Sequence, residues 1–237
     1  LYYGEIYKST NGGNTFGNNP ICGSGGTNED EDGEWVTPYV QSPTSASTLY
    51  VGKSKIYKTT NSGSNFTALG ALAGGSTGVV ANGLTAADAN YIYCAKQDKF
   101  YVSTNGGTSF TDRTNGLPVS SASITYIAVS NTDKNKVWVT FSGYSNNNKV
   151  FFSNNAGQNW SNVSGGLPNV PANCIVYTNN SSVNSLYCGT DIAVYYRDDN
   201  TGNWIPYTTG LPNVVVDELD IQYSSSKIRA ATFGRGI

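Results

Sequence analysis

Ser9-Thr10-Asn11-Gly12-Gly13-Asn14-Thr15-Phe16 is a stretch that the chain writes again and again. It returns as Thr59-Thr60-Asn61-Ser62-Gly63-Ser64-Asn65-Phe66, as Ser103-Thr104-Asn105-Gly106-Gly107-Thr108-Ser109-Phe110 and as Ser153-Asn154-Asn155-Ala156-Gly157-Gln158-Asn159-Trp160. A worn fifth copy, Arg197-Asp198-Asp199-Asn200-Thr201-Gly202-Asn203-Trp204, keeps the aromatic and displaces the glycine by one place. The closing aromatics are separated by 50, 44, 50 and 44 residues, a period that means one supersecondary unit per repeat, stacked on its neighbours. An apolar-aromatic run of strand-like composition precedes each octet: Ile6-Tyr7-Lys8, Ile56-Tyr57-Lys58, Phe100-Tyr101-Val102, Val150-Phe151-Phe152 and Val194-Tyr195-Tyr196. The octet glycine supplies a backbone angle that other residues resist, and the asparagine two places earlier can fold its amide onto nearby backbone groups. The octet therefore reads as a hairpin turn that ends in an aromatic anchor.

Working outward, a second strand reads at 1–4, 49–52, 92–95, 137–140, 186–189 and 228–231, and a first strand at 36–41, 79–84, 124–129, 174–177 and 219–223. The fourth strand follows the aromatic and often ends in Gly-Leu-Pro, at 116–118, 166–168 and 210–212; proline there cannot donate to a ladder and marks the exit from the sheet. Four short strands per repeat match a β-propeller blade. The expected fold is all-β, a propeller of four-stranded antiparallel blades spanning 1–237, with about five blades present. Residues 1–16 begin inside a repeat, whereas the tail from 216 supplies only a first and second strand. The expectation is sequence missing at the N-terminus, a larger ring, and a chain that is the C-terminal part of a longer protein.

Two of the four cysteines, Cys94 and Cys188, stand where other repeats carry Val51 and Val139, so both read as small buried apolar residues. A hairpin centred on Ser181 would set Cys174 opposite Cys188, and a cross-strand disulfide forms there if the Cα spacing suits.

The octets resemble the Asp-box, Ser/Thr-x-Asp-x-Gly-x-Thr-Trp/Phe, of sialidases, sortilin-type receptors and xyloglucan-cleaving endoglucanases, with Asn at the Asp position in four copies. That resemblance implies that the octets join the third and fourth strands of blades, away from any active site, and are structural. The tail Ala231-Thr232-Phe233-Gly234-Arg235-Gly236-Ile237 resembles the end of Asp-box propellers in large secreted proteins of the Bacteroidota. Val194-Tyr195-Tyr196-Arg197-Asp198, Gly210-Leu211-Pro212-Asn213-Val214 and Trp35-Val36-Thr37-Pro38-Tyr39-Val40 add to it. It implies a secreted or cell-surface module, exported by the type IX route, with neighbouring domains of the same polypeptide as partners.

A net charge of -2, with 13% of residues charged, argues against a nucleic-acid or anionic-membrane partner, and no apolar run approaches a membrane span. The chain has no histidine, which excludes Ser-His-Asp and Cys-His catalysis. A sialidase would need an arginine triad, and of Arg113, Arg197, Arg229 and Arg235 most fall on strand or octet positions. Chemistry is expected on the loops joining strands two to three and four to one: 17–34, 141–149 and 71–78. In the first, Asn28, Asp30 and Asp32 ahead of Gly33 resemble the front half of a calcium loop, but the twelfth position is Tyr39 where an EF-hand needs Glu; a solvated acidic loop is the alternative. Trp35 and Tyr144, with Glu34, are the candidates for contact with glycans or surface polymers. A glycoside hydrolase needs two carboxylates across a cleft, and Glu34, Asp191 and Asp217, with Glu218 and Asp220, lie near inner strands or loop ends. The reading preferred is a non-enzymatic binding or scaffold module; the alternative is a xyloglucanase-like hydrolase.

Overall fold

Four of the octets close on themselves through the same three hydrogen bonds. The computed structural model describes residues 3–23, 33–75, 83–145 and 147–234. In the first octet, Ser9 Oγ donates to Asn11 Oδ1 (2.9 Å) and accepts the Gly13 N–H (2.8 Å), and Asn11 Oδ1 also accepts the Thr15 N–H (2.9 Å). The sets Thr59/Asn61/Gly63/Asn65, Ser103/Asn105/Gly107/Ser109 and Ser153/Asn155/Gly157/Asn159 repeat this at 2.8 to 3.0 Å. The octet glycines have φ of +89, +87, +88 and +79°, a region that costs a side-chain-bearing residue about 1 kcal/mol or more. In the worn copy Asp198 takes the role one place early, accepting the Asn200 and Thr201 N–H groups (3.0 and 2.7 Å). The Thr201 N–H and the Tyr196 hydroxyl hold its carboxyl below the usual range.

These turns each join a third strand to a short fourth one. The chain divides into two compact units, Leu1–Arg113 and Thr114–Ile237. The first holds two antiparallel sheets in simple consecutive order: β1 (Tyr39–Ser42), β2 (Ser45–Gly52), β3 (Ile56–Thr59) and β4 (Thr67–Ala68), then β5 (Gly83–Ala86), β6 (Ile92–Lys96), β7 (Lys99–Ser103) and β8 (Thr111–Asp112). The second holds β9 (Ile124–Val129), β10 (Val137–Phe141), β11 (Val150–Ser153) and β12 (Ser161–Asn162), then β13 (Ala172–Tyr177), β14 (Leu186–Thr190), β15 (Val194–Arg197) and β16 (Ile205–Pro206). A two-stranded sheet follows, β17 (Val216–Gln222) and β18 (Lys227–Thr232). Strands β6 and β10 are buried at every position, as strands covered on both faces must be. Val51, Cys94, Val139 and Cys188 all have no exposed surface, and burial pushes both thiols up.

Neighbouring sheets within a unit hold each other at the octets. Leu69, just past β4, lies against Gly107, and the Gly70 N–H donates to the Gly107 carbonyl (2.8 Å). In the second unit Trp204 is 2% exposed in a core with Trp138, Tyr177 and Leu186. Its Nε1–H donates to the Val163 carbonyl, just past β12 (2.8 Å). A buried ring with its N–H satisfied contributes on the order of 2 to 3 kcal/mol.

Three expectations are corrected. Tyr3 and Gly4 do not lie in a second strand: they turn at φ of +50 and +87°, and residues 1 and 2 of the expected strand lie outside the described residues. Only Glu5 separates Gly4 from Ile6, whereas β2 reaches β3 through Lys53-Ser54-Lys55, so a hairpin there has no loop. The first repeat is instead marked by an isolated bridge between Ile6 and Cys22, and Phe16, 59% exposed, lacks the cover that Phe66 and Phe110 find. The hairpin β13–β14 is shifted by one residue from the expected register, with Cys174 opposite Gly189 and Cys188 opposite Ile175. A one-residue shift sends side chains to opposite faces. Accordingly Cys188 packs with Trp138, Cys174 packs with Val216, and all four cysteines are free thiols. The first strand expected at 36–41 begins at Tyr39, leaving Val36 exposed.

A Cβ on Gly107 would meet Leu69 Cδ1 at 2.3 Å, while one on Gly12 (φ +69°) meets nothing. Gly107→Ala should therefore cost about 2 to 4 kcal/mol through strain and overpacking, and Gly12→Ala about 1 kcal/mol or less. Denaturant unfolding of the two variants checks this; equal losses would refute the interlock.

Candidate functional site

Three first strands of the second unit each carry one extra residue at the same place. Pairing skips Thr125 in β9, Asn173 in β13 and Asp217 in β17. A one-residue bulge bends its strand and re-aims the side chain it carries. The Thr125 hydroxyl is hydrogen-bonded to Thr140 Oγ1 (2.8 Å) and to the Ala172 carbonyl (2.5 Å), the residue before the next bulge. Asn173 Nδ2 repeats the move, donating to the Val216 carbonyl (3.3 Å), again the residue before the next bulge, and to Asp191 Oδ1 (3.0 Å). The third bulge residue, Asp217, is exposed and carries a carboxylate where the other two carry a donor.

One residue on from the bulges stand Tyr126, Cys174 and Glu218. The Tyr126 hydroxyl donates to Glu218 Oε1 (2.6 Å). Loss of water around the Glu218 carboxyl raises its pKa, and the Tyr126 bond opposes that rise. Burial, with the Glu218 charge behind it, pushes the Tyr126 phenol far up, so it stays a donor. At the end of the β10–β11 loop Lys149 is 1% exposed. Its Nζ donates to the Gly143 carbonyl, and its N–H to Ser164 Oγ (2.9 Å). Burial lowers the Lys149 pKa and Asp191 works against that. Gly143 precedes Tyr144, which is 67% exposed.

The structure thus brings one expected residue, Asp191, to Asn173; Asp217 and Glu218 follow Val216, whose carbonyl Asn173 also meets. Tyr144 stands on a loop anchored by Lys149. Glu34 and Trp35 belong to the other unit: Glu34 is half-buried and its carbonyl accepts from Thr37 Oγ1 (2.8 Å). Trp35 is 57% exposed and meets the Tyr3 ring edge-on at 5.5 Å, not packed at a strand start. Asn28, Asp30 and Asp32 lie outside the described residues. Among the described residues no three His, Cys, Asp or Glu side chains are grouped as metal ligands. Aligning the repeats would have found Thr125, Asn173 and Asp217, since they share one position; nothing in the sequence singles out Lys149.

No family model matches this chain, and no curated protein does. Solved structures do. A GH74 enzyme from Niastella koreensis aligns with 97% of this chain and 38% of its own length at 18% identity and a TM-score of 0.76. A GH74 xyloglucanase from Xanthomonas campestris aligns with 83% and 35% at 14% identity and 0.65. The extracellular domain of a protein described as a hybrid two-component system of B. thetaiotaomicron aligns with 83% and 25% at 14% identity and 0.59. The chain therefore spans little more than a third of either GH74 enzyme. At these identities the likeness shows the fold: an all-β propeller whose blades are the antiparallel sheets above.

Because Glu218 has a raised pKa in the folded chain, its stabilising contribution is complete at acid pH and is lost as pH rises through the folded-state value. Glu218→Gln should stabilise the protein at neutral pH by a few tenths of a kcal/mol, given solvent screening, and the gain should vanish at acid pH. Tyr126→Phe should raise the Glu218 pKa further, read by NMR titration of the carboxyl. An unmoved titration would show that the Tyr126 bond does not act on the charge.

Proposed function

We propose that the chain is part of an extracellular, carbohydrate-related propeller that binds neutral glycans or surface polymers and does not cleave them. The observation that carries this reading is the Asn173 amide set between Asp191 and the Val216 carbonyl, with Asp217, Glu218 and exposed Tyr144. Oriented amide and carboxylate oxygens suit ligand hydroxyl groups, and an exposed phenol suits the apolar face of a sugar ring. The similarity to GH74 enzymes and to an extracellular domain supports the ligand class and the compartment. Among the described residues no helix is long and apolar enough to cross a membrane. On this reading the octets are Asp-box turns with a neutral cap, the type IX route implied by the tail accounts for export, and adhesion between surface polymers is the working role. Trp35 with Glu34 provides a further contact, and calcium at Asn28, Asp30 and Asp32 is a separate proposal.

A second reading is favoured by the Glu218 carboxyl. Glu218, next in sequence to the expected Asp217, has a raised pKa, as a glycosidase general acid requires. Binding of the purified chain to immobilised neutral polysaccharides, xyloglucan included, separates the two. The expected result is retention without release of reducing ends, weakened roughly tenfold by Asn173→Ala or Tyr144→Ala. No retention on any polysaccharide would end the binding reading. Reducing-end release that Asp191→Asn with Asp217→Asn abolishes would replace it with the hydrolase.

A further inference from the structure

Taking an ammonium out of water is costly unless it is paired or hydrogen-bonded, and Lys149 is buried within the second unit. A methionine would fill much the same space without that cost. What the ammonium does, and an apolar side chain cannot, is donate: Lys149 Nζ donates to the carbonyl of Gly143, the residue before exposed Tyr144. The first unit uses the same device. Lys96, buried at the end of β6, donates from Nζ to the Gly74 carbonyl (2.9 Å). Both glycines have positive φ, +84° at Gly143 and +79° at Gly74, and both lie in stretches, 141–149 and 71–78, where the repeat pattern places chemistry.

The β10–β11 loop is held at further points on either side of Tyr144. The Ser142 N–H donates to the Ser123 carbonyl (2.9 Å), and Ser142 Oγ accepts the Ser123 N–H (3.0 Å). Towards the other end, Asn162 Nδ2 donates to the Asn147 carbonyl and to Asn148 Oδ1 (3.3 Å). An aromatic on a loose loop loses freedom when it binds, and a loop ordered beforehand avoids that cost. The Asp191 carboxylate favours the charged form of Lys149, and Asp191 Oδ1 accepts from Asn173. One ammonium thus acts on the Tyr144 loop through a hydrogen bond and on the Asn173–Asp191 pair through its charge.

We propose that Lys149 is a positioning residue for ligand binding: its ammonium braces Gly143 so that Tyr144 is presented, already ordered, to the apolar face of a sugar ring. The choice of a sugar as ligand rests on the glycan-binding reading above; the brace does not.

Chymotrypsin cleavage after Tyr144 reads the brace with no ligand present. Lys149→Met keeps the stem and removes the ammonium. It should speed that cleavage about tenfold, the factor that one hydrogen bond to a charged group is worth, while cleavage after exposed Tyr207 of the same unit stays within about twofold of the parent. Lys149→Gln, a neutral and shorter donor, gives the same test where the methionine variant does not fold. Retention on the immobilised neutral polysaccharides, xyloglucan included, is the second arm. Lys149→Met should weaken it roughly tenfold, as Tyr144→Ala does, and should weaken it no further in a Tyr144→Ala background. Unchanged cleavage after Tyr144, or equal acceleration at Tyr144 and Tyr207 in both variants, would overturn the brace. Selective acceleration with the same loss of retention in both backgrounds would overturn the positioning role. Selective acceleration in a chain that no polysaccharide retains would overturn the glycan reading, and the positioning role with it, while the brace stands.

Discussion

A hydroxyl, a carboxamide and a glycine closing one turn is the constraint on which the rest of this chain depends. Ser or Thr accepts the glycine N–H and donates its own O–H to the asparagine oxygen, which also accepts the N–H four residues on. The polar groups of a tight reversal are thereby used, so the turn can sit against a neighbouring sheet without an unsatisfied donor. The aromatic that follows is delivered to the neighbouring sheet, and after the worn turn, where Asp198 takes over the closure, Trp204 is still 2% exposed with its Nε1–H bonded to the Val163 carbonyl.

The octets, their period and the third strands were legible in the sequence because turn chemistry is local. Four-strand order followed from them, and the burial of Cys94 and Cys188 followed from their shared position with Val51 and Val139. What could not be read were quantities that depend on register. Placing Cys174 opposite Cys188 required a turn centre correct to one residue, and the bulge at Asn173 shows how little the surrounding composition constrains that number. Tyr3 and Gly4, expected in a second strand, turn for a related reason: the composition is right, but one residue cannot carry the chain back on itself.

The candidate site follows the same division. Asp191 and Asp217 could be placed near the loop ends from the repeat pattern; Asp191 bonds to Asn173, and Asp217 follows the Val216 carbonyl that Asn173 also meets. The Asn173 amide, the Tyr126–Glu218 pair and the buried Lys149 came from packing between segments far apart in the chain, 92 residues in the case of Tyr126 and Glu218. No local pattern carries such contacts. Glu34 and Trp35, placed at the loop face by the same repeat pattern, stand in the other unit, with Trp35 against Tyr3.

The bulges have an evolutionary corollary. Because the skipped residue sits outside the ladder, its side chain can change while every cross-strand pair of the sheet stays as it is. Thr, Asn and Asp already occupy that place in three successive repeats, on a shared backbone path. Duplication of such a repeat copies an address for chemistry along with the scaffold, and a single codon change then rewrites what the address says. Families assembled this way can diverge in ligand while their architecture stands still.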